Sequence, residues 1–409
     1  MSMDLRIKPR KLCGTISPPP GKSEAQRLIL AAALAEGESR IANVALSEDI
    51  KAALSCARTL GADWELTGPE TLCIRGNGAR RMSPAVFPCG ESGAVLRFFL
   101  PVSLAISGGG DFYGHGRLME RPLDPYLCAF AALGLAWRRD GNCLSVRGRL
   151  APGEYRLPGN VSSQFFSGLL FALPLLGKPS RLIWTSEPES ADYIAMTVDA
   201  LQRAGIETER LPDGFSMTPM KYRPFTARVE ADWTQAAVWL AMCELGNELC
   251  VEGLNEKSLQ GDRRVRTFFE QLRGDGDREI VLSQNPDLLP ILALIAAKRR
   301  GKTVLSGAAR LRYKESDRLQ TTAAVLRLMG ATVLERADAL EIEGQASLYG
   351  NTEIDCAGDH RIAMLAAAAA TSCEKEIILR GADCVNKSYP DFWGEYQRLG
   401  GDCHVVKLG

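Results

Sequence analysis

KESDRLQTTAAVLRLMGATVLE, residues 314–335, opens on four charges in five positions, runs on with apolar residues at helical spacing, and closes on Gly330 ahead of a β-branched run. That order reads as a polar helix start, an amphipathic helix and a strand. It recurs as SEDIKAALSCARTLGADWEL (47–66), MERPLDPYLCAFAALGLAWR (119–138) and SADYIAMTVDALQRAGIETE (190–209), with weaker copies in GDRRVRTFFEQLRGDGD (261–277) and YPDFWGEYQRLGGDCHV (389–405). Six units spaced by roughly 55 to 75 residues are too long for solenoid repeats and suit a small βαβ-containing module.

Between them lies a second set of helical segments, richer in alanine and leucine: 24–37, 94–107, 163–176, 234–246, 288–301 and 360–372. These are apolar on nearly every face, which predicts burial, with the amphipathic helices and sheets outside. The class is therefore α/β, two similar domains of three βαβ-type repeats each around buried helices. At 409 residues the chain exceeds what one core supports. The stretch 218–235, with Pro224, reads as the crossing point. The expected domains are 16–228 and a discontinuous one of 1–15 with 229–409.

Lys plus Arg and Asp plus Glu both total 49, so no global field points to nucleic acid or an acidic membrane, and any anion site must be a local cluster. The 12 cysteines include no C-x-x-C pair and the three histidines lie far apart, which suggests neither zinc nor a disulfide framework and fits a reducing cytoplasm. No stretch carries the signature of an export signal or a membrane span.

The informative polar residues stand at the front of the buried helices. Lys22 and Ser23 follow Gly21, with Arg27 one turn on; a serine cap with solvated cations explains this, and so does an anion site at a helix N-terminus. Ser162, Ser163 and Gln164 open the third such helix, more polar groups than one cap needs. Glu91-Ser92-Gly93 precedes Arg97, and Gly93 permits close backbone approach. Asp287 precedes the fifth, where a simple N-cap is the plainer reading, and Asp359, His360 and Arg361 precede the sixth. In the opening stretch Lys314 and Arg318 are four apart and expected on one side, with Glu315 beside them. Arg117, Arg121 and Lys387 add loop cations. Two anions about 5 Å apart repel by roughly 3 kcal/mol at an effective dielectric near 20, so such a set suits an enzyme that joins small anionic substrates. Asp287, Glu315, Lys22 and His360 are the candidate proton carriers.

PGKSEAQR, SGAVLR, RLMERP, VSSQF, PDLLP, YKESDRL, DHRIAM and KSYPDF, in this order from Lys22 to Lys387, resemble the signature of the EPSP synthase (3-phosphoshikimate 1-carboxyvinyltransferase) family. The resemblance implies two inside-out α/β domains with threefold pseudo-symmetry and a cleft between them that closes on substrate. It implies transfer of the enolpyruvyl group of phosphoenolpyruvate to the 5-hydroxyl of shikimate 3-phosphate, in the shikimate pathway to chorismate and the aromatic amino acids. It further implies a cytoplasmic monomer with no metal or organic cofactor.

Carried over by motif, Lys22, Ser23, Arg27, Ser162, Ser163, Gln164, Ser190, Tyr193, Asp287 and Lys314 hold shikimate 3-phosphate. Lys22, Gly93, Arg117, Gln164, Arg318, Arg361 and Lys387 hold phosphoenolpyruvate. Asp287 is the base for the hydroxyl, Glu315 carries the proton to C3, and His360 supports Glu315. The chain departs from the family at Glu91 and Ala94, where Asn and Thr are usual, and at Arg310, beside the ring. Ala94 lies where the inhibitor glyphosate is tuned. The sister transferase acting on UDP-N-acetylglucosamine fits less well, for Lys22 is followed by Ser23 and no reactive cysteine stands in 114–122. A non-catalytic anion binder and an inactive paralogue complete the alternatives.

Overall fold

Alanine and leucine fill the six inner helices because each is surrounded. In the computed structural model, which describes residues 3–345 and 347–406, α1 (Lys22–Leu34), α3 (Gly93–Ile106) and α5 (Ser163–Ala172) form the interior of one compact unit, residues 20–230. Around them run the outer helices α2 (Glu48–Thr59), α4 (Asp124–Ala132) and α6 (Ala191–Arg203). A second unit, residues 1–19 with 231–409, repeats the plan. Its inner helices are α7 (Trp233–Glu244), α9 (Leu289–Lys298) and α11 (His360–Ala370); its outer ones are α8 (Val265–Leu272), α10 (Arg318–Leu328) and α12 (Phe392–Arg398). The small side chains of Ala366–Ala370, at most 1% exposed, let α11 pack directly against α7 and α9. Gly168 does the same for α5, since a Cβ there would stand 2.1 Å from the Arg97 carbonyl of α3.

Sheets cover the outside. Three in unit 20–230 and two in the other are four-stranded, each joining a parallel pair to antiparallel strands. The parallel strands flank an inner helix, as Ala85–Gly90 and Gly109–Gly114 flank α3. Where the chain enters late, the missing strand comes from elsewhere in sequence. Thr226–Arg228 pairs with Glu36–Ala42 after α1, and Leu5–Lys8 lies between Ile377–Arg380 and Asp402–Val405.

Two expectations need correction. The unit boundaries fall at 19/20 and 230/231 rather than 15/16 and 228/229. Cys13–Ile16 pairs with Glu248–Val251, and the Asp232 amide donates to Pro19, so the chain through Pro19 stays with 231–409; the Gly21 amide donates to Glu230 and keeps that residue on the other side. The six modules are also unequal. After α8 the chain turns at Gly274 and Gly276, both at positive φ, directly into the next module's strand Arg278–Val281, so this repeat has no hairpin and its sheet has two strands. Among the described residues no helix is long and apolar enough to cross a membrane.

Candidate active site

In unit 20–230 the polar groups gather at the N-terminal ends of the inner helices. α1 is not capped by serine: Gly21 takes the cap position without a side-chain bond, Ser23 lies in the first turn, and Arg27 is buried at 2% exposed rather than solvated. Arg27 donates through Nε to Thr197 Oγ1 (2.8 Å), through Nη1 to the Ser23 carbonyl (2.6 Å) and through Nη2 to the Tyr193 carbonyl (3.1 Å). It also lies over the Phe98 and Tyr193 rings, 5.0 and 5.7 Å from their centroids. Every one of these partners is neutral. Burial pulls the guanidinium down to about 10, against the attraction of Tyr193 and Glu24. A buried cation without a carboxylate within 4 Å among the described residues is poised for an anionic ligand.

Around it, Ser162 caps α5 through the Gln164 amide, Ser163 is buried, and Ser190 starts α6 in the left-handed region at φ 56. Lys22 is paired with Asp49 on α2 at 2.9 Å. A Cβ on Gly93 would stand 2.9 Å from Arg97 Nη1 and 3.0 Å from Arg121 Nη1, so a side chain there would crowd both cations. Arg97 in turn donates to Gln164 Oε1 at 2.7 Å. Arg117 is not drawn into this group: its side chain is 39% exposed and Nε pairs with Glu120 at 3.1 Å. Ala94 is half-buried in the first turn of α3.

The other unit holds a network of opposite charges. Asp287 is no helix cap; it sits in a 3-10 turn, Pro286–Leu288, ahead of α9. Its Oδ1 is 2.8 Å from Arg318 Nη1 and 3.2 Å from Lys314 Nζ, and its Oδ2 is 3.3 Å from Arg361 Nη2. Burial alone would raise this carboxyl, but Arg361, Lys314 and Arg318 outweigh it and Glu315, holding Asp287 well below the ordinary carboxylate range. Arg318, 1% exposed, also reaches Glu315 Oε2 at 2.6 Å and both oxygens of Asp359, at 2.9 and 3.1 Å. Lys387 Nζ is 3.7 Å from Glu315 Oε1. His360 is buried, with Nδ1 3.9 Å from Asp359 Oδ1. Burial, then the charges of Arg318 and Arg310, lower Lys314 against Asp287 and Glu315.

Lys314 and Arg318 converge, though not as neighbours on a helix. Asp317 caps α10 through the Gln320 amide, so the helix starts at Arg318 and leaves Lys314 extended. The seven expected residues of this unit, Asp287, Lys314, Glu315, Arg318, His360, Arg361 and Lys387, thus lie on the turns and helix starts of two successive modules. Sequence reasoning missed Asp49, Thr197 and Ser167, and it named Asp359 without a role. Asp359 accepts from Arg318, Ser316 and the Arg361 amide at once, which makes it the anchor of the network.

The sequence model of the EPSP synthase (3-phosphoshikimate 1-carboxyvinyltransferase) family matches residues 7–396. The chain is 40% identical to the 3-phosphoshikimate 1-carboxyvinyltransferase of Clostridium acetobutylicum, over 99% of each chain, and 37% identical to that of Clostridium kluyveri, over 98% and 99%. Its fold is similar to that of EPSP synthase from Acinetobacter baumannii, with TM-score 0.80, 24% identity and coverage of 99% and 100%. It is also similar to the enolpyruvyl transferase NikO from Streptomyces tendae, with TM-score 0.79, 17% identity and full coverage of both. On the strength of the whole-length sequence matches, this chain belongs to the EPSP synthase (3-phosphoshikimate 1-carboxyvinyltransferase) family.

Proposed function

We propose that both clusters hold substrate in the family reaction and that the second also supplies its proton carriers. The enzyme transfers the enolpyruvyl group of phosphoenolpyruvate to the 5-hydroxyl of shikimate 3-phosphate and releases phosphate, a step of aromatic amino acid biosynthesis. In this reading Ser23, Arg27, Ser162, Ser163, Gln164, Ser190 and Tyr193 hold shikimate 3-phosphate. Gly93, Arg117, Arg318, Arg361 and Lys387 hold phosphoenolpyruvate, with Lys22 and Gln164 serving both. Asp287 takes the hydroxyl proton as oxygen attacks C2 of phosphoenolpyruvate, and Glu315 delivers a proton to C3. Loss of phosphate from C2 of the tetrahedral adduct, with a C3 proton returning to Glu315, then regenerates the double bond, and the proton taken by Asp287 passes to the departing phosphate.

The observation that supports these roles is the Asp287 carboxylate held among three cations. In that state it is a weak base. Substrate anions drawing on Lys314, Arg318 and Arg361 reduce their field at Asp287 and raise its basicity where the hydroxyl arrives. The same reading makes the protein a cytoplasmic monomer.

The test is phosphate release by the purified protein with both substrates, with each omitted, and with UDP-N-acetylglucosamine as acceptor. Release that needs both phosphoenolpyruvate and shikimate 3-phosphate is expected. Release with the sugar nucleotide instead, or none from folded protein, overturns the reading.

A further inference from the structure

Behind Asp287 lies a fourth carboxylate that the proposed mechanism does not use. Asp262, 2% exposed, sits on a short 3-10 turn ahead of α8. It accepts from Thr234 Oγ1 in the first turn of α7 at 2.5 Å and from Asn285 Nδ2 at 3.2 Å. Asn285, equally buried, is the residue on which the Asp287 turn is built: its amide donates to Leu282, its carbonyl accepts from Leu288, and its Oδ1 is 3.5 Å from Arg264 Nη1. Holding the Asn285 side chain therefore fixes the turn that presents Asp287.

We infer that Asp262 is a positioning residue for the Asp287 carboxylate, acting through the Asn285 amide and through the charge of Arg361. The inference rests on the assignment of Asp287 as the base. Asp262 feels the charges of Asp287 from the neighbouring turn and of Arg361 from α11, Arg264 of its own turn reaches the shared partner Asn285, and on α7 its partner is the neutral Thr234. Burial first, then the charge of Asp287, push the Asp262 carboxyl up to about 6, against Thr234, Arg361 and Asn285. Ionised, Asp262 places a second negative charge beside Asp287 and Arg361. A proton on Asp262 removes that negative charge, and Arg361 then bears more strongly on Asp287. The base weakens near pH 6, well above the range where Asp287 itself takes a proton.

The experiment is the pH profile of kcat at saturating substrates for the wild type, Asp262→Asn, Asn285→Ala and Asp287→Asn. Phosphate monoesters titrate near pH 6 as well, so the difference between profiles is read. Asp262→Asn, which mimics the protonated state, is expected to run about tenfold below wild type at pH 8, with both KM values within twofold and the acid limb reduced to that of the substrates. Asn285→Ala is expected to lose about tenfold in kcat with the limb in place, because its carboxylate partner remains.

Folded Asp262→Asn with wild-type kcat overturns the inference, and so does a kcat loss with an unchanged limb, which marks packing alone. If Asp262→Asn does not fold, unchanged kcat in Asn285→Ala overturns it. An inactive wild type, or an active Asp287→Asn, sinks the proposed function or the base assignment instead, so the two failures are told apart.

Discussion

Arg27, one turn into α1, and Arg318, the first residue of α10, are both buried guanidiniums, yet they are solvated by opposite means. Arg27 is surrounded by hydroxyls, carbonyls and ring faces, whereas Arg318 is enclosed by Asp287, Glu315 and Asp359. The first arrangement leaves a positive charge for a ligand to neutralise. The second spends its charge inside the protein and in return holds three carboxylates in fixed geometry. In the proposed reaction the first arrangement serves binding alone, whereas the second combines binding with the two proton carriers Asp287 and Glu315.

The largest effect should come from breaking the second arrangement. Arg318→Met leaves the buried Asp359 and the half-buried Asp287 and Glu315 without their common partner, so a loss of about 3–5 kcal/mol in stability is expected by chemical denaturation, together with loss of turnover. Asp287→Asn keeps the shape but not the charge; kcat should fall by about 10²- to 10⁴-fold, and the melting temperature should fall as well, because three cations lose their carboxylate partner. Arg27→Met sharpens the contrast with Arg318→Met. Unfolding free energy should move by only about 1 kcal/mol, since no carboxylate is stranded, while kcat/KM for shikimate 3-phosphate drops about 100-fold. Equal destabilisation by the two methionines would erase the distinction drawn between the sites.

Arg117→Ala, at an exposed side chain already paired with Glu120, should raise the KM for phosphoenolpyruvate by about tenfold or less.

The smallest effect concerns Glu24, in the first turn of α1. Burial pushes its carboxyl up to about 7, against its bond from the Glu230 amide and helped by the charges of Glu230 and Asp199. Between about 4.5 and 7 the folded protein keeps a proton that the unfolded chain has released, so this contribution to stability is present below 4.5 and lost above 7. Glu24→Gln should therefore stabilise the protein at pH 8, by on the order of 1 kcal/mol after allowance for partial exposure, and have little effect at pH 4.5. Thermal melts at the two values check it.

Much of this was legible in the chain. The repeat is carried by glycine-terminated amphipathic helices and by segments too apolar to be anything but interior, which is why the class could be read without coordinates. The hairpin missing after α8 was not legible, because GDGD reads equally as a tight turn or as the end of a module. The proposed site residues at helix starts stood out as a surplus of polar groups beyond capping needs. Their partners were not. Asp49 looks like an ordinary acid in a first helical turn, and Thr197 and Ser167 look like tolerated hydroxyls inside helices; only tertiary packing turns them toward Lys22 and Arg27. Lys314 and Arg318 were expected together for the wrong local reason, since Asp317 ends the turn and restarts the helix between them.

The strand Leu5–Lys8 lies in the interior of its sheet, between strands some 370 and 400 residues away. During synthesis residues 20–230 can complete their own unit as they emerge, while Leu5–Lys8 has no sheet partner until residues 377–380 have been made. Its alternation of Leu5 and Ile7 with Arg6 and Lys8 keeps a charge on every second position throughout that wait, which discourages premature pairing with another nascent chain.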